Sequence, residues 1–163
     1  MIEIERKFLV TSEAFKTEAF QYTKIQQGYL NSYKDRTVRI RIKGKSAFIT
    51  VKGPTSEDGL QRFEWEKEIP LSDGEALITF CEANPIEKMR YEVKFGNHIF
   101  EIDEFFNANA GLVLAEIELN HVDESFEKPS WLGEEVTGNP KYYNSELSKN
   151  PYTIWNSTTQ TKT

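Results

Sequence analysis

Alternation of charged and apolar residues with a period of two is the feature that most constrains the fold of this chain. In Val38-Arg39-Ile40-Arg41 every second side chain is basic, and in Ala115-Glu116-Ile117-Glu118 every second side chain is acidic. Successive side chains of a β-strand point to opposite faces, so the pattern predicts strands with one charged and one apolar face. It recurs and predicts eight strands, at 2–10, 22–30, 37–43, 46–52, 61–69, 87–95, 98–106 and 113–120.

The connections between these strands indicate a largely antiparallel sheet in a single domain over residues 1–155. Gly44-Lys45 and Gly96-Asn97 each suit a two-residue hairpin turn. Short helices are predicted near 11–15, over 72–81 with a capping box at Ser72 and with Phe80 on the inward side, and over 140–147. The polar residues 156–163 are expected to form a disordered tail.

Composition excludes several classes of protein. The 163 residues carry a formal charge of -6, which disfavours a nucleic-acid binder. Cys81 is the single cysteine and there are two histidines, so a zinc cluster is not expected. The N-terminus has no apolar signal region and no run reaches membrane-spanning length, so we expect no membrane partner and a cytoplasmic location.

Two arrangements of the charged strand faces are consistent with the pattern. In one, an ordinary half-buried sheet exposes its charged face to water. In the other, about eight strands close into a barrel whose charged faces line the bore and whose apolar faces lie outside, under helices. Basic residues concentrate in the third, fourth and sixth predicted strands and acidic residues in the fifth, seventh and eighth. A bore with one acidic and one basic wall suits a polyanion bridged to carboxylates by a divalent metal, and this favours the barrel.

The spacing of the charges is suited to that chemistry. Side chains at i and i+2 of a strand lie about 7 Å apart on one face. Glu3/Glu5 and Glu116/Glu118 are two such acidic pairs, and oxygen ligands favour Mg²⁺ or Mn²⁺ over zinc. The basic pairs Arg39/Arg41 and Lys88/Arg90 can contact successive phosphates along a linear chain.

These residues also resemble a known family, the CYTH proteins or triphosphate tunnel metalloenzymes. The opening Glu3-Ile4-Glu5-Arg6-Lys7 resembles the family's ExExK signature. Residues 133–137 and 141–144 are similar to the C-terminal motif of its short bacterial members. The later motifs occur in the family's order, as Val38-Arg39-Ile40-Arg41, Thr50-Val51-Lys52-Gly53, Lys88-Met89-Arg90-Tyr91, Ile102-Asp103-Glu104-Phe105 and Glu116-Ile117-Glu118-Leu119. The resemblance covers about residues 1–150.

The resemblance implies an α+β, mainly β fold, in which an eight-stranded antiparallel barrel forms a tunnel with flanking helices. It implies one or two Mg²⁺ or Mn²⁺ ions held by Glu3, Glu5, Asp103, Glu116 and Glu118. It implies phosphate contacts from Lys7, Arg39, Arg41, Lys52, Lys88, Arg90 and Lys141. The residues expected to act in the reaction itself are Glu5, Tyr29, Lys88 and Glu116. Family members are often dimers, which extends the expectation to a homodimer.

The function expected from the resemblance is metal-dependent hydrolysis of a short triphosphate, with inorganic tripolyphosphate cleaved to pyrophosphate and orthophosphate. Class IV-type adenylate cyclase activity is the main alternative, because the same phosphate and metal groups would serve it. Thiamine triphosphate hydrolysis is another and requires an aromatic platform, for which Trp65 and Trp131 are the candidates. A non-catalytic polyphosphate- or nucleotide-binding module is a further alternative.

Overall fold

Nine antiparallel strands dominate the computed structural model, which describes residues 2–155. The strands are β1 (Ile2–Val10), β2 (Gln21–Tyr33), β3 (Arg36–Lys43), β4 (Ser46–Thr55), β5 (Gln61–Ile69), β6 (Glu82–Phe95), β7 (His98–Phe105), β8 (Val113–Glu118) and β9 (Leu132–Glu135). The helices are α1 (Phe15–Glu18), α2 (Leu71–Ile78) and α3 (Asn144–Leu147), with 3₁₀ turns at Asn107–Asn109, Pro140–Tyr142 and Tyr152–Ile154. All eight predicted strands are present, several of them longer than predicted.

The sheet closes on itself. Its strands neighbour one another in the order β5-β4-β3-β2-β6-β7-β8-β1, and β1 pairs in turn with β5 through Ile2 and Phe63. The result is an eight-stranded antiparallel barrel, as predicted. The ninth strand, β9, adds to the far end of β1 and was not predicted, because its four residues show no alternation.

The larger of two hydrophobic clusters lies outside the barrel. Phe8 and Phe100 on the outer strand faces pack against Phe15 of α1 and against Trp131, which is fully buried. A second cluster lies on the inner faces of β6, β7 and β8, next to the charged residues, and includes Leu147 of α3. The charged faces therefore turn inward, as the barrel interpretation requires, and the water-exposed sheet is excluded.

The helices differ from the predictions in their limits. Helix α2 begins at Leu71, because the Pro70 carbonyl accepts the first hydrogen bonds, and no capping box forms at Ser72. Phe80 follows the end of α2 and is 75% exposed, so its predicted inward position is wrong. The predicted 140–147 helix is broken at Tyr143, whose backbone is extended.

Two further predictions concern membrane-spanning segments and the C-terminal tail. No helix within residues 2–155 is long and apolar enough to cross a membrane. The tail predicted over 156–163 lies outside the described residues.

Candidate functional site

The bore of the barrel holds a cavity of about 260 Å³ whose lining is mostly charged. Tyr29, Leu60 and Tyr143 are the large apolar or aromatic residues of the lining. Seven acidic side chains line it, namely Glu3, Glu5, Glu64, Glu66, Glu101, Glu116 and Glu118. Eight basic side chains line it, namely Lys7, Arg39, Arg41, Lys43, Lys52, Arg62, Lys88 and Arg90. The cavity is thus slightly basic, although the whole chain carries a formal charge of -6.

Strand order sorts these charges into two contiguous walls. The strands β7, β8, β1 and β5 are neighbours and carry all seven acidic side chains, and we call them the acidic arc. The strands β4, β3, β2 and β6 are neighbours and carry six of the eight basic side chains, and we call them the basic arc. Lys7 and Arg62 are the two basic residues on the acidic arc. The structure therefore brings together the two walls expected from the strand patterns.

The arginines of β3 lack full charge compensation. Arg39 and Arg41 share one carboxylate oxygen, Glu66 Oε2, each at 3.4 Å. The Nε atom of each is buried and without a hydrogen-bond partner among residues 2–155. Burial, and then the nearby charges of Arg39 and Arg90, lower the pKa of Arg41 to about 10. An anion in the cavity would relieve this repulsion.

The basic residues of β6 are held from behind by one buried carboxylate. Asp103 Oδ2 accepts from Lys88 Nζ at 2.8 Å and from Arg90 Nη2 at 2.9 Å, and Oδ1 accepts from Arg90 Nε at 2.8 Å. Burial opposes ionisation, but Arg90 and Lys88 outweigh it and hold the pKa of Asp103 far below its usual range. Asp103 is 2% exposed and does not line the cavity. The structure thus places this predicted metal ligand as an anchor of the basic arc, with both oxygens occupied.

The acidic arc places carboxylates directly opposite one another. Glu5 pairs in register with Glu118 across β1 and β8, and Glu101 with Glu116 across β7 and β8. Burial, then Glu116 and Glu3, raise the pKa of Glu5 well above its ordinary value of 4.5. No hydrogen bond or ion pair from residues 2–155 reaches the carboxylate of Glu5 or of Glu118. Like charges in opposite register are unfavourable without a counter-cation.

The other two carboxylates of the predicted metal set are paired with lysines. Glu3 Oε1 lies 3.0 Å from Lys52 Nζ, and Glu116 Oε1 lies 3.7 Å from Lys7 Nζ. Burial alone would raise the pKa of Glu116, but Lys7 and Arg90 outweigh it and lower that pKa to about 2. As the side chains stand, no three His, Cys, Asp or Glu residues within 2–155 are grouped to hold a metal ion. The donor chemistry nevertheless fits a hard divalent cation, because four glutamates offer oxygen ligands only.

The remaining predicted residues divide between the cavity and the surface. Tyr29 is 5% exposed on β2 and lines the cavity opposite Arg39 in register. Lys141 is exposed and lies outside the cavity lining, with its ammonium 4.1 Å from the ring centre of Trp155. The position of Lys141 therefore offers no support for its predicted phosphate contact.

Several lining residues were not singled out from the sequence. Arg62 shares its strand face with Glu64, so the alternation in β5 could have identified it. Tyr143 and Asn144 enter the cavity because the backbone breaks at Tyr143, and no periodic pattern marks that break.

Comparisons of the sequence and the structure with known proteins identify relatives of this chain. The family model for the CYTH domain matches residues 1–154. An inorganic triphosphatase of Acetivibrio thermocellus is 44% identical over 151 residues, which cover 92% of this chain and 95% of the relative. An inorganic triphosphatase of Nitrosomonas europaea is 38% identical, with 91% and 97% covered. The crystal structure of the inorganic triphosphatase NE1496 matches with a TM-score of 0.64 at 33% identity, covering 90% of this chain and 93% of that one.

Proposed function

The chain belongs to the CYTH domain family, and we propose that it is a metal-dependent inorganic triphosphatase that hydrolyses tripolyphosphate to pyrophosphate and orthophosphate. The observation that carries the proposal is the division of one small cavity into a basic and an acidic arc. A linear polyanion fits such a cavity, with its phosphate oxygens on the basic arc. The two relatives named inorganic triphosphatase, at 44% and 38% identity, support the choice of substrate.

The lining also favours an inorganic substrate over the alternatives. Its aromatic residues within the described chain are Tyr29 and Tyr143, and Leu60 is its one large aliphatic residue there, so the lining offers little apolar surface for a base or a thiamine ring. Trp65 lies on the outer face of β5 and Trp131 is fully buried in the outer core. Neither candidate platform for thiamine triphosphate therefore reaches the cavity. At about 260 Å³ the cavity is also smaller than the roughly 300–1,000 Å³ typical of sites for larger organic ligands.

The acidic arc is the proposed site for Mg²⁺ or Mn²⁺. Glu3, Glu5, Glu116 and Glu118 would hold the cation, with Lys52 and Lys7 released to the substrate. When bound, a divalent cation lowers the pKa of the attacking water and neutralises phosphate charge.

The chain's own residues orient the substrate. Arg39 and Arg41 line the cavity and share a single carboxylate oxygen, so their guanidinium groups can hold the oxygens of one phosphoryl group. Lys88 and Arg90 are fixed by Asp103 and stabilise the charge that develops on the leaving group when the bridging P–O bond breaks. Tyr29 lies between these two sets of cations, on β2.

A substrate panel with one variant tests the proposal. Tripolyphosphate, ATP and thiamine triphosphate are assayed with Mg²⁺, Mn²⁺ or EDTA, and products are identified so that cyclic AMP is distinguished from ADP. We expect phosphate release from tripolyphosphate with a divalent metal, and a loss of at least about 100-fold in Glu116→Gln. Glu134→Gln, an exposed carboxylate on β9, is the control. Metal-independent turnover, or cyclic AMP as the main product, would overturn the proposal.

A further inference from the structure

Asn144 is the point at which the C-terminal segment enters the barrel. It opens α3, and Leu147 three residues later is fully buried among apolar side chains on the inner faces of β7 and β8. The extended backbone at Tyr143 turns the chain so that Tyr143, Asn144 and Ser145 all line the cavity. The side chain of Asn144 is therefore held in the bore by a helix that is itself anchored on the inner strand faces.

The oxygen of the Asn144 side chain is fully engaged. Oδ1 accepts from Gln27 Nε2 and from Lys88 Nζ, each at 2.9 Å. An amide oxygen has two lone pairs, so these two bonds use its capacity. A lysine ammonium carries donors only, so the oxygen and not the nitrogen of the amide must face Lys88. Chemistry thus fixes the orientation of the Asn144 amide.

The nitrogen of the same amide is left without a protein partner. Nδ2 makes no hydrogen bond to any residue between 2 and 155, and it is not among the buried atoms that lack a partner. It therefore keeps accessible surface, on a residue that lines the cavity. Lys88 also keeps one N–H, because Asp103 and Asn144 take the other two. Asn144 and Lys88 together present neighbouring donors to the same part of the bore.

The hydrogen bond from Gln27 to Asn144 leaves another buried polar atom without a partner among the described residues. Gln27 is 0% exposed, and its amide nitrogen is spent on Asn144 while its Oε1 remains buried without a donor among the described residues. Leaving a buried carbonyl unpaired is unfavourable. A residue selected only for stability of the barrel would pair both ends of its amide. The arrangement makes sense if the orientation of Asn144 matters for function.

We propose that Asn144 is a substrate-binding residue whose Nδ2 donates to a phosphate oxygen beside the group contacted by Lys88. The inference rests on the proposed function and extends the phosphate site beyond the strands, to the C-terminal segment. A neutral donor adds a hydrogen bond without adding a further cation to a crowded basic arc.

The order of two substitutions separates substrate binding from a purely structural role. Asn144→Asp keeps an oxygen acceptor for Gln27 and Lys88 but replaces the free donor by a charged acceptor aimed at phosphate. Asn144→Ala removes both groups. If Nδ2 contacts substrate, Asp is the more damaging change; if Asn144 only positions Lys88, Asp is close to wild type and Ala is worse. Asn150→Ala, an exposed asparagine of the same segment, is the matched control.

Binding and turnover are measured separately so that the two proposals can fail separately. Calorimetry follows tripolyphosphate binding in EDTA, hydrolysis is assayed with Mg²⁺, and thermal melts confirm folding. We expect Asn144→Ala to weaken binding roughly ten- to a hundredfold, as for loss of a hydrogen bond to a charged group, and Asn144→Asp to weaken it further. Binding equal to wild type in both variants, or Asp superior to Ala, overturns the inference. Wild-type binding without hydrolysis overturns the proposed function alone, and absence of wild-type binding overturns both.

Discussion

Glu5→Gln is expected to make the metal-free protein more stable while it removes activity. The Glu5 carboxylate faces Glu118 directly across two strands and is close enough to Glu116 and Glu3 for both to raise its pKa. No cation from the described chain pairs with it directly. Glutamine keeps the shape of the side chain and removes the charge, so it relieves the repulsion without leaving a cavity.

The size of the gain follows from the geometry. A like-charged pair in opposite register costs roughly 0.2–1 kcal/mol, and Glu5 has one such partner and two further carboxylates nearby. The expected gain is therefore about 1–2 kcal/mol in the free energy of unfolding. For a domain of this size that corresponds to a rise of about 2–8 °C in Tm.

The pH dependence has a definite sign. Because the pKa of Glu5 is raised in the folded protein, the native state binds the proton more tightly than the unfolded chain does, and stability falls as pH rises through the folded-state pKa. Below the ordinary pKa of 4.5 both states are protonated and the penalty vanishes. The advantage of Glu5→Gln should therefore be present at pH 8 and small near pH 4.

Thermal melts with and without Mg²⁺ provide the assay. At about 100 times the wild-type Kd, the metal stabilises wild type by about 2.7 kcal/mol, whereas a variant with a hundredfold weaker site gains only about 0.4 kcal/mol. The order of stability should then reverse on adding metal. Glu68→Gln, at an exposed position outside the cavity lining, is the control and should shift neither curve. A Glu5→Gln protein less stable than wild type in EDTA would refute the reasoning about uncompensated charge.

Two further predictions concern the basic arc and the segment that closes it. Arg41→Ala should weaken tripolyphosphate binding at least about tenfold and change Mg²⁺ affinity little. Arg36→Ala, at an exposed position on the same strand, should change neither affinity. Both affinities are measured by calorimetry, and equal losses of the two in Arg41→Ala would contradict the division into two arcs. Leu147→Ala should lower the free energy of unfolding, measured in urea, by about 2–5 kcal/mol, because Leu147 is fully buried. It should also weaken tripolyphosphate binding, because Asn144 on the same helix would be held less firmly. An unchanged free energy of unfolding would contradict the anchoring of α3.

The strands were predictable because the alternation of charged and apolar residues is a local property of the sequence. Arg39 and Arg41 of β3, like the two glutamates of β8, each have an apolar neighbour on either side, and that local pattern survives whatever the strand pairs with. The break at Tyr143 and the start of α2 at Leu71 were not predictable from periodicity. They depend on packing and on which carbonyl accepts the first hydrogen bonds.

The candidate site was predictable only to the extent that its residues lie on strands. Parity placed Glu5, Arg41 and Glu116 on the charged strand faces, the separation of acidic from basic strands favoured a bore, and all three line the cavity. Asp103 has the same kind of parity, yet it turns its carboxylate to Lys88 and Arg90 behind the lining. Parity states which face a side chain takes, and the partner on the neighbouring strand decides whether it remains free for a ligand.

The division into two arcs depends on strand order, which the alternation does not encode. In a simple meander β5 would lie between β4 and β6, and its glutamates Glu64 and Glu66 would separate the basic residues of those two strands. The actual chain leaves β5 through α2, which packs across β2, β3 and β4 on the outside of the barrel, and returns to pair β6 with β2. That packing is close, because a Cβ on Gly74 of α2 would clash with Ala47. One long connection thus places Lys88 and Arg90 on β6, one strand away from the arginines of β3, and leaves β5 to join β1 on the acidic side. The overall charge of -6 therefore says little about the ligand, because the fold has already separated the charges that it sums.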